Sequence, residues 1–207
     1  KKLKMAYWVA YPLYSSILGS GNRTEAWGYD PQVSTAFQPL LMNAQGFSKY
    51  GYDRGHQLPS ADRNLNTSQN KTTFYFTNMT AQASRLNQGV WRLLEEKVRT
   101  WSAQCDTMYI VTGAIPTTSS DTMLDFAQDN DGKDVAVPKY YFKALAMKKG
   151  SEYYTIAYKM NNEIPPSGVT FENYRLTVSD LEKATGFTFF PDLNDTQKGN
   201  INTSIWK

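Results

Sequence analysis

The only histidine of the chain, His56, lies in a short charged segment that glycine and proline interrupt. The segment reads YDRGHQLPSADRN and also carries arginines at positions 54 and 63 and acids at positions 53 and 62. An imidazole titrates near neutrality, so it can take a proton from water at pH 7. Flanking arginines favour the neutral imidazole and hold anionic oxygens nearby. The combination suits attack of water on a phosphodiester, and a histidine packed in a turn is the structural alternative.

A second candidate group lies on the clearest predicted helix, from about Ser84 to Ser102, where apolar residues recur at spacings of three and four. With about 100° per residue, Asn87 falls within the apolar arc of this helix and Glu95 lies at its edge. A buried amide needs a partner, and its carbonyl oxygen is a hard ligand suited to Mg²⁺. Glu95 could orient waters around such an ion. The structural alternatives are an Asn near a helix start and an ordinary surface pair of Glu95 with Arg99.

Cys105 is the only cysteine in the sequence, which excludes most functions that depend on cysteine. The chain cannot form an intrachain disulfide, a zinc ribbon or a histidine-rich metal site. No second histidine is free to activate the thiol, so Cys105 is interpreted as a half-buried structural residue. Arg23, in GNRTEAW, is a lone loop arginine, and such residues are usually solvated.

The composition is that of a folded globular domain. The 207 residues, 41% of them hydrophobic, suffice for one substantial core, and we expect a single domain over 1–207. The net charge of +3 is compatible with a polyanionic partner. No apolar run approaches the roughly 18–20 residues of a membrane span. No signal peptide is visible, although a chain trimmed at its N-terminus would look the same.

The elements that must position these residues are strands that flank isolated helices. Strands are predicted over 5–14, 72–80, 107–116, 139–149 and 152–160, with the last two forming a hairpin. Loops are predicted over 19–33, 51–64 and 117–134. A last helix is predicted to begin with a capping box of Ser179 and Glu182 and to stop at Gly186. This pattern favours an α+β fold.

Three motifs in order carry a family resemblance. DRGH at 53–56, TNMTAQ at 77–82 and LNQGVWRLLEE at 86–96 resemble the DNA/RNA non-specific endonucleases with a ββα-metal, or His-Me, finger. VTGAIP, VAVPKYYFKAL and LEKATGFTFFPDL, further along, are similar to later segments of that family, so the resemblance covers nearly the whole chain. It implies a central, mainly antiparallel sheet flanked by helices, with a ββα-metal finger as the active site.

The resemblance implies roles for three residues around a metal ion. His56 matches the histidine that activates the attacking water. Asn87 matches the one direct protein ligand of the metal, and Glu95 matches the carboxylate that holds the metal through water. Mg²⁺ is the implied cofactor, with Mn²⁺ or Ca²⁺ as substitutes.

The resemblance also implies roles for residues around the phosphate. Arg54 and Arg99 match arginines that bind substrate phosphate or support the reaction, and Arg23 matches an upstream arginine that stabilises transition-state charge. Asn78 matches a polar position near the site. Asp53 is interpreted as pinning the loop rather than binding metal.

The implied function is a metal-dependent endonuclease that hydrolyses DNA and RNA with little sequence or sugar specificity and leaves 5′-phosphate ends. A DNA-restricted or structure-selective nuclease, and a non-catalytic nucleic-acid-binding domain, are the alternatives. The family further suggests a secreted, periplasmic or cell-envelope location and allows an inhibitor or immunity protein as partner. The oligomeric state stays open, and Asp62 and Arg63 receive no role.

Overall fold

A computed structural model describes residues 3–207 of the chain. Its strands are β1 (Trp8–Leu13), β2 (Tyr52–His56), β3 (Met79–Ala83), β4 (Thr107–Ile115), β5 (Asp125–Gln128), β6 (Asp134–Val137), β7 (Tyr140–Lys149), β8 (Glu152–Asn161) and β9 (Arg175–Leu176). Its α-helices are α1 (Gln45–Ser48), α2 (Thr67–Thr72), α3 (Ser84–Leu86), α4 (Arg92–Ser102), α5 (Val178–Thr185) and α6 (Asp195–Gly199). A π-helical segment, Asn87–Trp91, joins α3 to α4, and we call these three pieces together the site helix.

The main sheet has the strand order β1-β4-β7-β8-β9, and each of its pairings is antiparallel. The strand predicted over 5–14 is confirmed as β1, with Pro12 inside it. Pro12 is tolerated there because β1 lies at an edge of the sheet, where a strand needs no hydrogen bonds on one side. The predicted aromatic hairpin is also confirmed as β7 and β8, which turn at Gly150 with a φ of +58°.

Both faces of the main sheet are covered, because alternate residues of a strand point to opposite sides. One face packs against the site helix through a cluster that includes Leu94, Val98, Trp101, Ile110, Tyr141 and Leu145. The other face packs against α5 through Phe142, Ala144, Ala157, Val178 and Leu181. Burial of each such apolar side chain contributes roughly 1.5–3 kcal/mol. The predicted α+β fold, with a mainly antiparallel sheet flanked by helices, is confirmed.

A separate two-stranded sheet, β2 with β3, holds the histidine segment. The prediction of a loop over 51–64 is therefore wrong for Tyr52–His56. Tyr52–His56 contains charged residues and no apolar alternation, so the sequence did not indicate a strand. The strand is stabilised by its pairing with β3. Gly55 lies within β2 and pairs with Thr80 of β3. It is needed because a Cβ there would lie 2.6 Å from the Gln82 Cβ on β3.

Two other predictions need correction. The alternating run 72–80 is not a strand, because its residues complete α2 and form a 3₁₀ turn at Phe76–Asn78 before β3 starts at Met79. The polar stretch 117–134 is only partly a loop, because β5 lies within it and pairs with β6. Polar residues obscured this pairing, since just Ala127, Val135, Ala136 and Val137 of the two strands are buried.

The predicted helix near residue 180 forms as α5, but with a different start. Thr177, not Ser179, caps it by accepting a hydrogen bond from the Asp180 backbone nitrogen. Gly186 ends the helix in the left-handed region with a φ of +72°, as expected. α5 is not the last helix, since α6 follows it. Within residues 3–207, no helix combines the length and the apolar character needed to cross a bilayer.

Candidate active site

One cleft of about 580 Å³ brings the predicted site residues together. Its walls include Arg23, Arg54, His56, Asn87, Glu95 and Arg99. These residues come from three places in the chain: the loop before α1, the strand β2 and the site helix. The β2–β3 pair and the helix that follows it therefore form the two-strand and one-helix unit that holds the cleft.

Asp53 joins the strand to the start of the site helix. Its Oδ1 accepts a hydrogen bond from Ser84 Oγ at 2.7 Å, and its Oδ2 accepts one from Asn87 Nδ2 at 2.8 Å. Oδ2 also accepts a hydrogen bond from Gln88 Nε2 at 2.8 Å. The Asn87 nitrogen is thereby committed to Asp53, which leaves the carbonyl Oδ1 as the free acceptor of that amide. This contact agrees with the interpretation of Asp53 as a pin.

The π-helical segment changes how Asn87 and Glu95 face the cleft. Eight residues of regular α-helix would leave about 80° between the two side chains. The helix is not regular between these two residues, and both side chains line the same cleft. Gly89, inside the segment, has a non-helical φ of −105° and ψ of −111°. A glycine within an apolar-periodic helix was the only sequence signal for this irregularity.

His56 is held in an aromatic enclosure. Its ring makes edge-to-face contacts with Phe74, at a centroid distance of 5.0 Å, and with Trp27, at 5.6 Å. Its Nε2 is buried and has no hydrogen-bond partner within residues 3–207. Burial, with the charges of Arg23 and Arg54, lowers the pKa of His56 to about 3, although a hydrogen bond with the Arg54 backbone opposes this. The imidazole is therefore neutral at pH 7, as a general base must be.

Glu95 has the opposite shift in the same cleft. Burial raises its pKa to about 7, and the charges of Lys143 and Arg99 partly oppose that rise. Asp62 raises it further by like-charge repulsion. A base with a lowered pKa and an acid with a raised pKa in one cleft are typical of catalytic sites.

The arginines line the cleft in distinct settings. Arg54 stacks on Trp27, with its guanidinium carbon 3.5 Å from the ring centroid, and donates to the Leu41 carbonyl at 2.8 Å. Arg23 donates to Ser60 Oγ at 2.9 Å and also pairs with Glu25. Neither arginine is simply solvated, and both keep donor groups for an anion.

Arg99 lies deeper and is paired. Its Nη1 donates to Asp62 Oδ1 at 2.9 Å, and Asp62 is only 2% exposed. The other oxygen of Asp62 accepts a hydrogen bond from the Tyr11 hydroxyl at 3.1 Å. Asp62, which received no role from the sequence, thus fixes Arg99, and its place in the charged histidine segment was the available signal.

Asn78 supports the chain that follows His56. Its Nδ2 donates to the carbonyls of Leu58 and Thr73, and its Oδ1 accepts from the Leu58 backbone nitrogen. The amide of Asn78 forms all of these hydrogen bonds with backbone groups, so it stabilises the chain around the site and does not face the cleft. Sequence reasoning also missed Trp27 and Phe74, because nothing in their local pattern indicates contact with a residue so distant in the chain.

The donor set fits a single hydrated divalent cation. Within residues 3–207, no group of three or more histidine, cysteine, aspartate or glutamate side chains could hold a metal. The cleft instead offers the Asn87 carbonyl oxygen and the Glu95 carboxylate. Hard cations such as Mg²⁺ keep several waters and need few protein oxygens, so these two groups are compatible with one such ion.

Comparisons with known proteins identify the family of the chain. Residues 1–196 match the family described as DNA/RNA non-specific endonuclease. A nuclease of Nostoc sp. is 34% identical over 97% of this chain and 70% of its own length. Mitochondrial endonuclease G of Bos taurus is 28% identical over 91% of this chain and 64% of its own length.

A solved structure of the EndoG/EndoGI complex shares the fold, with a TM-score of 0.78 and 21% sequence identity. The match covers 97% of this chain and 84% of that one. With the family match along almost the whole sequence, the chain belongs to the DNA/RNA non-specific endonuclease family and is an endonuclease.

Proposed function

We propose that this endonuclease hydrolyses both DNA and RNA with one divalent cation, Mg²⁺ by preference, and leaves 5′-phosphate ends. One observation supports a water-activating role for His56 above all others. Its ring, which is neutral at pH 7, lines the same cleft as Asn87. A neutral imidazole nitrogen accepts a proton from water, a step that typically contributes roughly 10²–10⁴-fold.

The reaction follows from the groups around the cleft. Water attacks phosphorus and gives a proton to the imidazole of His56, and the bond from phosphorus to the 3′ oxygen breaks. The leaving oxygen takes its proton from solvent. Arg54 and Arg23 bind the phosphate oxygens, and Arg99, held by Asp62, adds positive charge beneath them.

Asn87 Oδ1 would hold the cation directly, and Glu95 would hold it through water. When bound, the ion would supply Lewis-acid stabilisation of the phosphate and of the leaving oxygen. Asp53 orients the Asn87 amide for this purpose, because it occupies the nitrogen of that amide. Mn²⁺ and Ca²⁺ also prefer oxygen ligands, so they are the natural substitutes to test.

Low specificity follows from the same groups. Contacts from arginine to phosphate carry no sequence information. A mechanism that activates external water needs no 2′-hydroxyl, so DNA and RNA are equivalent at the scissile phosphate. The mildly basic chain, with a net charge of +3, favours either polyanion.

The test is digestion of plasmid, single-stranded DNA and RNA, with Mg²⁺, Mn²⁺, Ca²⁺ or EDTA. We expect cleavage of all three polymers with Mg²⁺, none with EDTA, and 5′-phosphate ends on the products. His56→Ala should remove nearly all activity, whereas Lys71→Ala, an exposed residue of α2, should not. Cleavage of DNA alone would favour the DNA-restricted alternative, and tight binding without cleavage in any metal would favour a binding domain.

The lack of sequence specificity bears on the location and partners of the protein. A nuclease without sequence specificity endangers the genome of its own cell, so we infer export or an envelope location. One relative is named as mitochondrial, which indicates that location varies within the family. The solved EndoG structure includes an inhibitor, and a protein inhibitor is compatible with the open cleft here. Fractionation of the source cells, followed by affinity capture on the His56→Ala protein, would test both.

A further inference from the structure

Asn70, on α2, is a buried amide that takes no part in the proposed reaction, and it is only 1% exposed. An asparagine amide can donate two hydrogen bonds and accept two. Its Nδ2 donates to the Ser60 carbonyl at 2.8 Å and to Asn64 Oδ1 at 2.7 Å. Its Oδ1 accepts from the Thr24 backbone nitrogen at 3.0 Å and from Thr24 Oγ1 at 2.9 Å. The hydrogen-bonding capacity of Asn70 is therefore fully used, and its partners hold it in one orientation.

This amide joins three separate parts of the chain. Thr24 belongs to the loop before α1, and Ser60 begins a 3₁₀ turn, Ser60–Arg63, that Asn64 follows. The loop and the turn are in close contact, because a Cβ at Gly21 would lie 2.3 Å from the Asn64 carbonyl oxygen. We call Asn70 together with Thr24 and Ser60 the Asn70 clamp.

The two ends of the Asn70 clamp meet at Arg23. Thr24 directly follows Arg23 in the chain, so the hydrogen bond to the Thr24 backbone nitrogen fixes the main chain beside Arg23. Ser60 Oγ accepts a hydrogen bond from Arg23 Nη1 at 2.9 Å, so the clamp also fixes the acceptor that the guanidinium uses. Arg23 and Ser60 both line the cleft. One amide outside the cleft thus determines where Arg23 stands in it.

The chain just after α2 supports the same side chain. Phe74 lies four residues after Asn70, and its ring centroid is 4.7 Å from the guanidinium carbon of Arg23. The same ring contacts His56 edge to face at a centroid distance of 5.0 Å. The position of α2 and of the residues that follow it therefore sets Arg23 relative to His56.

Arg23 needs this support more than the other arginines of the cleft. Arg54 stacks on an aromatic ring, and Arg99 pairs with a buried carboxylate. The side chain of Arg23 is 46% exposed, and Glu25, with which it forms an ion pair, is 54% exposed. An exposed ion pair contributes little to holding a side chain in one geometry.

We propose that Asn70 is a positioning residue of the nuclease, whose buried amide fixes Arg23 at the wall of the cleft. The proposal rests on the proposed role of Arg23 in binding the phosphate oxygens. Asn70 touches neither the phosphate nor the reacting water, so its contribution passes through Thr24 and Ser60 to Arg23.

The first experiment compares two asparagines of the same helical region. Asn70→Ala removes the clamp, and steady-state cleavage of a DNA oligonucleotide should show kcat about 10- to 100-fold lower, because a displacement of about 1 Å can cost about 100-fold. KM should change by less than about threefold, since the lost contact acts in the transition state. Asn66→Ala removes the cap of α2, a hydrogen bond from the Gln69 backbone nitrogen, and should lower stability without changing kcat or KM. A wild-type kcat for Asn70→Ala would overturn the proposal.

A double-mutant cycle then asks whether Asn70 acts through Arg23. In an Arg23→Ala background, Asn70→Ala should cost less than about threefold in kcat, because the side chain that it positions is already gone. Equal losses in the two backgrounds would mean that Asn70 only supports the fold. All assays are run at a temperature where circular dichroism shows each variant to be fully folded.

A milder pair of variants tests the clamp if Asn70→Ala does not fold. Thr24→Val keeps the size of the side chain and loses the hydroxyl that donates to Asn70, whereas Thr24→Ser keeps that hydroxyl. Thr24→Val should lower kcat about 3- to 10-fold, and Thr24→Ser should restore it to within about twofold of the wild type. Equal kcat values for the two variants would overturn the proposal.

A last readout uses neither metal nor substrate. In urea unfolding with EDTA, Thr24→Val should lower the midpoint more in the wild-type background than in the Asn70→Ala background. Equal midpoint shifts would mean that the two residues are not coupled, which would overturn the clamp. If the wild-type protein cleaves no polymer, the proposed function fails and this cycle still decides whether the clamp exists. If the protein cleaves but the kcat cycle with Arg23 is additive, only the positioning role of Asn70 fails.

Discussion

The single histidine makes the protonation state of the proposed base directly measurable. Burial among aromatic rings and the charges of Arg23 and Arg54 lower the pKa of His56 to about 3 in the folded protein. In the unfolded chain the imidazole has its ordinary pKa of about 6.5. Replacement by glutamine, His56→Gln, removes this titration from both states and leaves the other ionisable groups in place.

The sign and the size of the effect follow from the two pKa values. Between about pH 6.5 and pH 3 the imidazole binds a proton in the unfolded chain but not in the native protein. The contribution of His56 to the free energy of unfolding is therefore fully present above about pH 6.5 and is lost as the pH falls toward 3. Relative to His56→Gln, the wild type should lose about 2.5 kcal/mol between pH 7 and pH 4.5. A native pKa of about 4 would change this figure by only about 0.1 kcal/mol, because the unfolded chain takes up its proton either way.

Two measurements check the reasoning. Urea unfolding in EDTA, followed by tryptophan fluorescence at pH 7 and pH 4.5, gives the difference in unfolding free energy between wild type and His56→Gln. Proton NMR of the one imidazole should show no titration between pH 8 and pH 5. A resonance that moves with a midpoint near 6.5, or a stability difference that is independent of pH, would refute the low pKa and with it the desolvated base.

Three further outcomes are expected. Asn87→Ala should abolish divalent-cation binding in calorimetry and lower kcat at least about 100-fold with the fold intact, and unchanged cation affinity would place the ligand elsewhere. Asp62→Asn should cost about 2 kcal/mol in urea unfolding, because it leaves the partly buried Arg99 without its counter-charge, and a loss under about 1 kcal/mol would contradict the pairing. Gly55→Ala should cost about 1–3 kcal/mol, since its Cβ would overlap Gln82. Gly28→Ala, whose Cβ would meet nothing nearer than 4.0 Å, is the matched control and should be nearly neutral.

The elements that were predicted correctly are those in which the periodic apolar residues are also the residues that pack in the core. The site helix has its apolar residues on one face, and that face packs on the main sheet, so 84–102 was predicted with its full length. The β7–β8 hairpin was likewise predicted because its aromatic strands turn at a glycine. The family and the site residues were predicted from sequence motifs and their spacing, which do not depend on whether the local structure is regular.

The parts that could not be predicted depend on partners distant in the chain. The sequence of β2 is typical of a loop because it carries charged residues that line or support the cleft. Its strand conformation depends on pairing with β3, which starts 23 residues after β2 ends. The kink at Gly89 is not encoded by periodicity, although it lies in the site helix between Asn87 and Glu95. The pairing of Asp62 with Arg99 joins residues 37 positions apart, which no spacing rule connects.

The two shifted groups of the cleft have opposite effects on stability as pH changes. His56 has a lowered pKa, so its contribution is lost as the pH falls below about 6.5. Glu95 has a pKa raised to about 7 from its ordinary value near 4.5, so the folded state binds its proton more tightly and stability is lost as the pH rises through that range. The proposed mechanism uses a neutral His56 and an ionised Glu95, so burial favours the working state of His56 and disfavours that of Glu95. Burial of Glu95 therefore costs stability at neutral pH, and the charges of Lys143 and Arg99 reduce this cost.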